Sequence, residues 1–245
     1  MRISSFACVT LVGLAAIGSA RAADPVPAAR FLAAAPNYFD WTGVYLGLAF
    51  GPAFGKGKTD DTSGLGGSGG FNLRGGLIGG TVGANWQGGR WVIGVEGDVS
   101  YSTLTGNPVA LAPITNITSL REKWLGTARV RWGGMPIDYL FTYVTGGVAV
   151  AGVEATVDFT PSGNPVTATS KQFRTGWTAG AGVEGAIGRN TSVKLEYLYV
   201  ALDNPVYGFT SPPGFPINSS HFPLNAHVLR IGANLSLDGL GAFKW

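Results

Sequence analysis

The side chains able to do chemistry in this sequence are few, and their spacing excludes most reactions. There are two histidines, His221 and His227, and one cysteine, Cys8. A hydrolase needs a nucleophile with a base in reach. The lipid-deacylase pattern, a histidine with serine two residues on, is absent: His221 precedes Phe222-Pro223 and His227 precedes Val228-Leu229. Gly64-Leu65-Gly66-Gly67-Ser68-Gly69 has the letters of a dinucleotide fingerprint. It lacks the strand before and the helix after that give that motif its function, so it reads as a flexible surface loop. No enzyme, cofactor or metal site is expected. What remains is charge at alternate positions: Glu96, Asp98, Glu184 and Glu196 against Arg129, Arg131, Lys194 and Arg230.

These charges sit in stretches that alternate with a period of two, the signature of strands. The stretches are 43–53, 73–86, 90–101, 121–132, 139–152, 171–187, 191–201 and 225–237. In the third, Trp91, Ile93, Val95, Val99 and Tyr101 oppose Glu96, Asp98 and Ser100. In the fourth, Trp124, Ala128, Val130 and Trp132 oppose Lys123, Thr127, Arg129 and Arg131. Val193, Leu195, Tyr197 and Tyr199 oppose Lys194 and Glu196 in the seventh; Leu229, Ile231, Ala233 and Leu235 oppose Arg230 and Asn234 in the eighth. The second and fifth stretches leave their faces unassigned.

No apolar run after the first residues reaches the roughly 18 needed for a membrane-spanning helix. Eight strands, most long enough to cross a bilayer at a tilt, predict an all-β fold: an eight-stranded antiparallel transmembrane β-barrel. Connections alternate long and short. The long ones are expected at 54–72, 102–120, 153–170 and 202–224, the short ones at 87–89, 133–138 and 188–190. Outer-membrane barrels place short turns in the periplasm and long loops outside, so both termini are expected in the periplasm. Trp86, Trp91 and Trp132 lie beside short turns, and Tyr101, Trp124, Phe173 and Tyr199 beside long ones, as two interfacial belts would require. An Arg or Lys facing lipid at mid-bilayer costs about 2–4 kcal/mol, so the charged face is assigned to the lumen.

The 245 residues include 39 glycines, with 45% hydrophobic and 13% charged. The glycines are interspersed with Val, Leu, Tyr and Trp, which argues against disorder. Residues 1–22 read as a signal peptide: Arg2, an apolar run, then Ala20-Arg21-Ala22 as the cleavage site. Residues 23–40 read as an Ala/Pro-rich periplasmic segment and 41–245 as the barrel. Without Arg2 and Arg21, 15 basic residues face 14 acidic ones, which is no nucleic-acid balance.

Five motifs carry a family resemblance: Trp41-Thr42-Gly43-Val44-Tyr45-Leu46-Gly47; Trp124-Leu125-Gly126-Thr127-Ala128-Arg129-Val130-Arg131; Thr145-Gly146-Gly147-Val148-Ala149; Gly176-Trp177-Thr178-Ala179-Gly180-Ala181-Gly182-Val183-Glu184; and Val193-Lys194-Leu195-Glu196-Tyr197-Leu198-Tyr199. They resemble successive strands of the alphaproteobacterial porin-family, opacity-like or outer-membrane immunogenic proteins. The resemblance covers Trp41 to Leu237. It implies an outer-membrane barrel like the membrane domain of outer-membrane protein A, with surface antigens and haemin binders among its members. Family members tend to end on the last strand with a terminal aromatic; here the last alternation ends at Leu237 and residues 238–244 precede Trp245, so either the last strand is shifted or a short tail carries the aromatic.

Two candidate sites follow. An eight-stranded barrel is only wide enough for side chains to fill it. The eight lumen charges must therefore pair or meet trapped water, either as a plug or as a narrow polar path. The fourth long connection carries Tyr207, Phe209 and His221, an iron ligand type with aromatics that suit a porphyrin, which makes haemin binding an alternative to a plain polar loop. Asp60-Asp61 with Lys56 and Lys58 reads as a solvated loop face, with calcium or lipopolysaccharide contact as the alternative. The expected function is structural and surface-facing. A narrow porin for small hydrophilic solutes and a haemin-binding surface protein are the alternatives. The expected partners are outer-membrane lipid, lipopolysaccharide, and haemin or a host surface ligand.

Overall fold

A computed structural model describes residues 39–61, 69–106, 115–159, 166–203, 206–207, 220–221 and 224–237. The expected signal peptide, residues 23–38 of the Ala/Pro-rich segment, Phe209 and the tail after Leu237 lie outside them. Eight strands dominate: β1 Gly43–Asp61, β2 Gly69–Gly88, β3 Trp91–Ser102, β4 Thr115–Ile137, β5 Leu140–Phe159, β6 Val166–Ala186, β7 Thr191–Leu202 and β8 Leu224–Ser236. Each pairs antiparallel with the next, and β8 pairs back onto β1, so the sheet closes. On β1, Phe50 lies opposite Ile78 of β2 and Ile231 of β8. Closure leaves no edge with unpaired backbone groups, which lipid could not satisfy.

The outward face is apolar. Leu48, Phe50, Ile78, Val95, Val99, Val148, Leu195 and Ile231 are all exposed. At the short-turn end, Trp91 and Trp132 stack at 5.2 Å, with Trp86 exposed on the neighbouring strand. At the long-connection end, Trp124 meets Phe173 at 6.0 Å, and Tyr199 meets Trp177 and His227 at 5.4 and 5.3 Å.

Several expected boundaries move. Pairing continues into the segments read as loops 54–72 and 153–170, with Thr59 opposite Gly69 and Phe159 opposite Val166. Within 102–120, Thr105–Gly106 forms a two-residue strand and β4 starts at Thr115; within 202–224, Val206–Tyr207 pairs with Ser220–His221. Beyond the aromatic belt no lipid selects apolar side chains, so the alternation fades while the backbone ladder goes on. The 133–138 turn also shortens. β4 runs to Ile137 through a register shift after Gly134, and only Asp138–Tyr139 turns. The equally short turn Gly89–Arg90 puts Gly89 at φ 62°, a left-handed conformation that favours glycine.

Lys123 is corrected. It was placed on the lumen face with Arg129 and Arg131, but a bulge between Glu122 and Trp124 inserts one residue. A bulge reverses the alternation on one side of itself. Glu122 therefore points inward, fully buried, while Lys123 is exposed and pairs with Glu154 at 3.3 Å.

Candidate functional site: a layered, ion-filled lumen

The lumen is built in layers, each set by which inward positions on neighbouring strands share a height. At the short-turn end Phe39, Trp41, Val92, Met135, Phe141 and Tyr143 form an apolar cluster. At the long-connection end a larger cluster includes Leu73, Leu77, Leu104, Leu120, Leu125 and Leu198. The charges lie between these two. These apolar layers explain why β2 and β5 showed no polar face in the sequence: Leu73 and Leu77, and Phe141, Ala149, Ala151 and Val153, point inward opposite Ile78, Val82, Val144 and Val148.

The structure brings all eight expected lumen charges into one network of four carboxylates and four cations. Arg129 pairs with Glu96, with Asp98 at 2.9 Å and with Glu196 at 3.0 Å. Arg131 pairs with Glu96 at 3.3 Å and Glu184 at 3.0 Å, and Lys194 with Glu96 at 2.7 Å. Arg230 reaches Glu196 at 2.6 Å and Asp98 at 2.9 Å. Arg131, Lys194 and Glu196 have no exposed surface. Burial of an isolated ion is prohibitive, and only mutual pairing plus hydrogen bonds to the remaining lone pairs and protons offsets it.

Neutral residues that the charge pattern did not flag supply those bonds. The Tyr45 hydroxyl donates to Glu96 at 2.8 Å and the Tyr143 hydroxyl to Glu196 at 3.0 Å. Thr127 donates to Asp98 at 2.5 Å, and Ser192 and Asn234 donate to Glu184 at 2.5 and 2.7 Å. Arg131 donates to Asn85 at 2.8 Å and sits over the Tyr45 and Tyr143 rings at 5.0 and 4.9 Å. Cations over aromatic faces are attracted to the ring quadrupole. Glycine makes room for this: a Cβ on Gly83 would overlap the Tyr45 phenol, and one on Gly182 the Tyr143 ring. Period-two alternation carries no information about which strand lies opposite, so these partners were not readable in advance.

Two further buried charges were missed. Glu122, hydrogen-bonded to Ser102, and Arg174 both point inward toward the long-connection end of the lumen. The bulge hid Glu122, and Arg174 lies in a stretch whose inward face is otherwise mostly glycine and threonine.

Of the haemin candidates, Tyr207 and His221 are described only as backbone: Ser220 lies opposite Tyr207, and His221 opposite Val206 and Asp60. His227, given no role, is exposed on the outer face with Nδ1 2.6 Å from the Tyr197 hydroxyl. Among the described residues no group of three or more His, Cys, Asp or Glu is arranged to hold a metal.

The outer membrane protein beta-barrel domain matches residues 13–236. The chain is 34% identical over 241 residues to the 31 kDa outer-membrane immunogenic protein of Brucella melitensis, covering 92% of this chain and 98% of that one. It is 31% identical over 183 residues to the 25 kDa outer-membrane immunogenic protein of Brucella canis, covering 75% and 74%. It is 32% identical over 174 residues to a 22 kDa outer membrane protein of Rhizobium leguminosarum bv. viciae, covering 70% and 69%. Among solved structures, the outer membrane protein OprG of Pseudomonas aeruginosa superposes with a TM-score of 0.48 at 7% identity, over 80% of this chain and 97% of that one. The closed sheet, its apolar outer face, the matching domain family and the Brucella and Rhizobium relatives converge: the chain belongs to the outer-membrane β-barrel protein family, alongside alphaproteobacterial immunogenic outer-membrane proteins.

Proposed function

We propose that this barrel is a sealed structural element of the outer membrane that displays its long connections at the cell surface, and that it catalyses no reaction. The observation that carries this reading is the ion layer held between two apolar layers. Conduction needs a continuous file of water, and here the middle of the lumen is occupied by mutually paired side chains. The short turns face the periplasm, the chain enters the export path on a signal peptide cleaved before Ala23, and both termini stay periplasmic. The Brucella relatives are named immunogenic, which supports surface display as antigen or adhesion surface.

Planar-bilayer conductance of the refolded protein starting at Ala23 tests it. The expected result is a heat-modifiable, folded barrel that gives no regular channel steps. Reproducible steps of fixed size would overturn the sealed reading and put a narrow porin for small hydrophilic solutes in its place.

A further inference from the structure

The outer surface carries an asymmetry that the lumen does not explain. One ladder row crosses half the barrel at the long-connection end: Arg74 lies opposite Thr105, Thr105 opposite Arg121, Arg121 opposite Glu154, and Glu154 opposite Lys171. On β1 the row reaches Phe54, opposite Arg74, and Lys56 stands one outward position beyond it, opposite Asn72. Lys56, Arg74, Arg121 and Lys171 are all exposed. The one acid in the row, Glu154, is already taken by Lys123. Among the described residues the other four cations have no carboxylate partner.

This row stands directly beyond an aromatic one, in which Tyr101 lies opposite Trp124, Trp124 opposite Gly152, and Gly152 opposite Phe173. On β5 and β6 the two rows are one outward position apart, about 7 Å along the strands, and on β2 two, since Arg74 lies four residues from Ile78, the partner of Tyr101. Aromatic belts mark headgroup depth. The cations therefore stand at the level of lipid phosphates, where each is drawn to an anionic surface. At one end of the row the outer face is grooved, with Phe54 and Tyr199 as apolar walls and Lys56, Arg74, Asn72 and Asn225 around them. The opposite end of the barrel has no such row of cations. There Arg90 pairs with Asp138 at 3.6 Å, and among the described residues only Asp40 and Arg189 add to them.

We propose that Lys56, Arg74, Arg121 and Lys171 form a half-ring that binds phosphorylated glycolipid headgroups of the outer leaflet, with the acyl chains lying along the aromatic row and the groove. This rests on the orientation proposed above, with the long connections outside. The partner is phosphate carried on lipid, because cations and apolar walls are juxtaposed; a free anion would use only the first.

The test uses the full mature chain, refolded in zwitterionic micelles, with native mass spectrometry counting bound bisphosphorylated lipid A and its dephosphorylated analogue. The wild type is expected to prefer the phosphorylated form at least tenfold, with about a fivefold loss per cation removed. Lys56→Gln, Arg74→Gln, Arg121→Gln and Lys171→Gln together should abolish the preference while the barrel remains folded and heat-modifiable. Arg90→Gln with Arg189→Gln, at the other end, should leave it intact. Equal binding of the two lipids by wild type, an equal loss from the Arg90/Arg189 variant, or full displacement by inorganic phosphate would each overturn the proposal. Orientation is read separately: an impermeant maleimide should label Lys171→Cys on intact cells. No labelling would overturn the outer-leaflet assignment even where the micelle preference stands, and neither result depends on whether the lumen conducts.

Discussion

The Tyr45 hydroxyl donates to Glu96 across the lumen at 2.8 Å, on the same carboxylate oxygen that takes Lys194. Glu96 also meets Arg129 and Arg131, so it is the acid on which most of the cations converge. Glu96→Ala leaves buried cations facing one another. The expected loss is about 3–5 kcal/mol, as for other broken buried ion pairs. Tyr45→Phe removes one bond to a charged group and should cost about 1.5–3 kcal/mol. Urea unfolding of the refolded barrel, followed by tryptophan fluorescence, measures both. A Glu96→Ala barrel as stable as wild type would mean that the lumen charges are hydrated instead of paired.

Gly83 provides the space that Tyr45 fills. Gly83→Val should force the ring aside and destabilise the barrel by about 1–3 kcal/mol. Combined with Tyr45→Ala, the added side chain meets a gap instead of a ring, so the double variant should lose less than the sum of the single ones. A double-mutant cycle reads that coupling directly. Strict additivity would show that the glycine serves some other purpose.

Depth in the membrane should be measurable from the outer face. Val95 is exposed midway along β3, between Trp91 and Tyr101. Val95→Arg is expected to cost about 2–4 kcal/mol, whereas the charge introduced by Trp86→Arg, at the short-turn belt, should cost only about 0–1 kcal/mol. Equal costs at the two positions would contradict the assignment of the aromatic rows to the interfaces.

Export processing makes a prediction independent of the barrel. N-terminal sequencing of protein recovered from outer membranes should begin at Ala23. Ala22→Leu, which places a large side chain at the cleavage position, should leave an uncleaved precursor visible by intact mass. A mature chain that still begins at Met1 would remove the signal-peptide reading.

The barrel was legible because lipid imposes a strict rule on half of each strand. Where the inward face was also strongly polar, as at Glu96 and Asp98 or Lys194 and Glu196, the alternation was unmistakable. It failed where the lumen itself turns apolar. Phe141, Ala149 and Val153 face inward while Val144 and Val148 face outward, and hydropathy alone cannot separate the two sets. It failed again at the bulge before Trp124, because a single inserted residue moves Lys123 outward and Glu122 inward without altering the composition. The membership of the ion network was readable from charge, but its partners were not. Asp98 and Arg230 are 132 residues apart and meet only because β3 and β8 face each other across a closed sheet. The half-ring of cations has the same origin: Arg74, Arg121 and Lys171 share a row through register, which local sequence does not encode.

The ion layer also has a bearing on how the molecule is assembled. Its charges come from β3, β4, β6, β7 and β8, and the last strand delivers Arg230 to carboxylates already placed by β3 and β7. Before β8 docks, Asp98 and Glu196 lack that counter-ion and hold their water. A slip of two residues keeps every side chain on its face but moves each charge about 7 Å from its partner. The layer is thus a checkpoint on closure, rewarding only the finished cylinder in its correct register. Such a device favours an abrupt, all-or-none final step over gradual zippering.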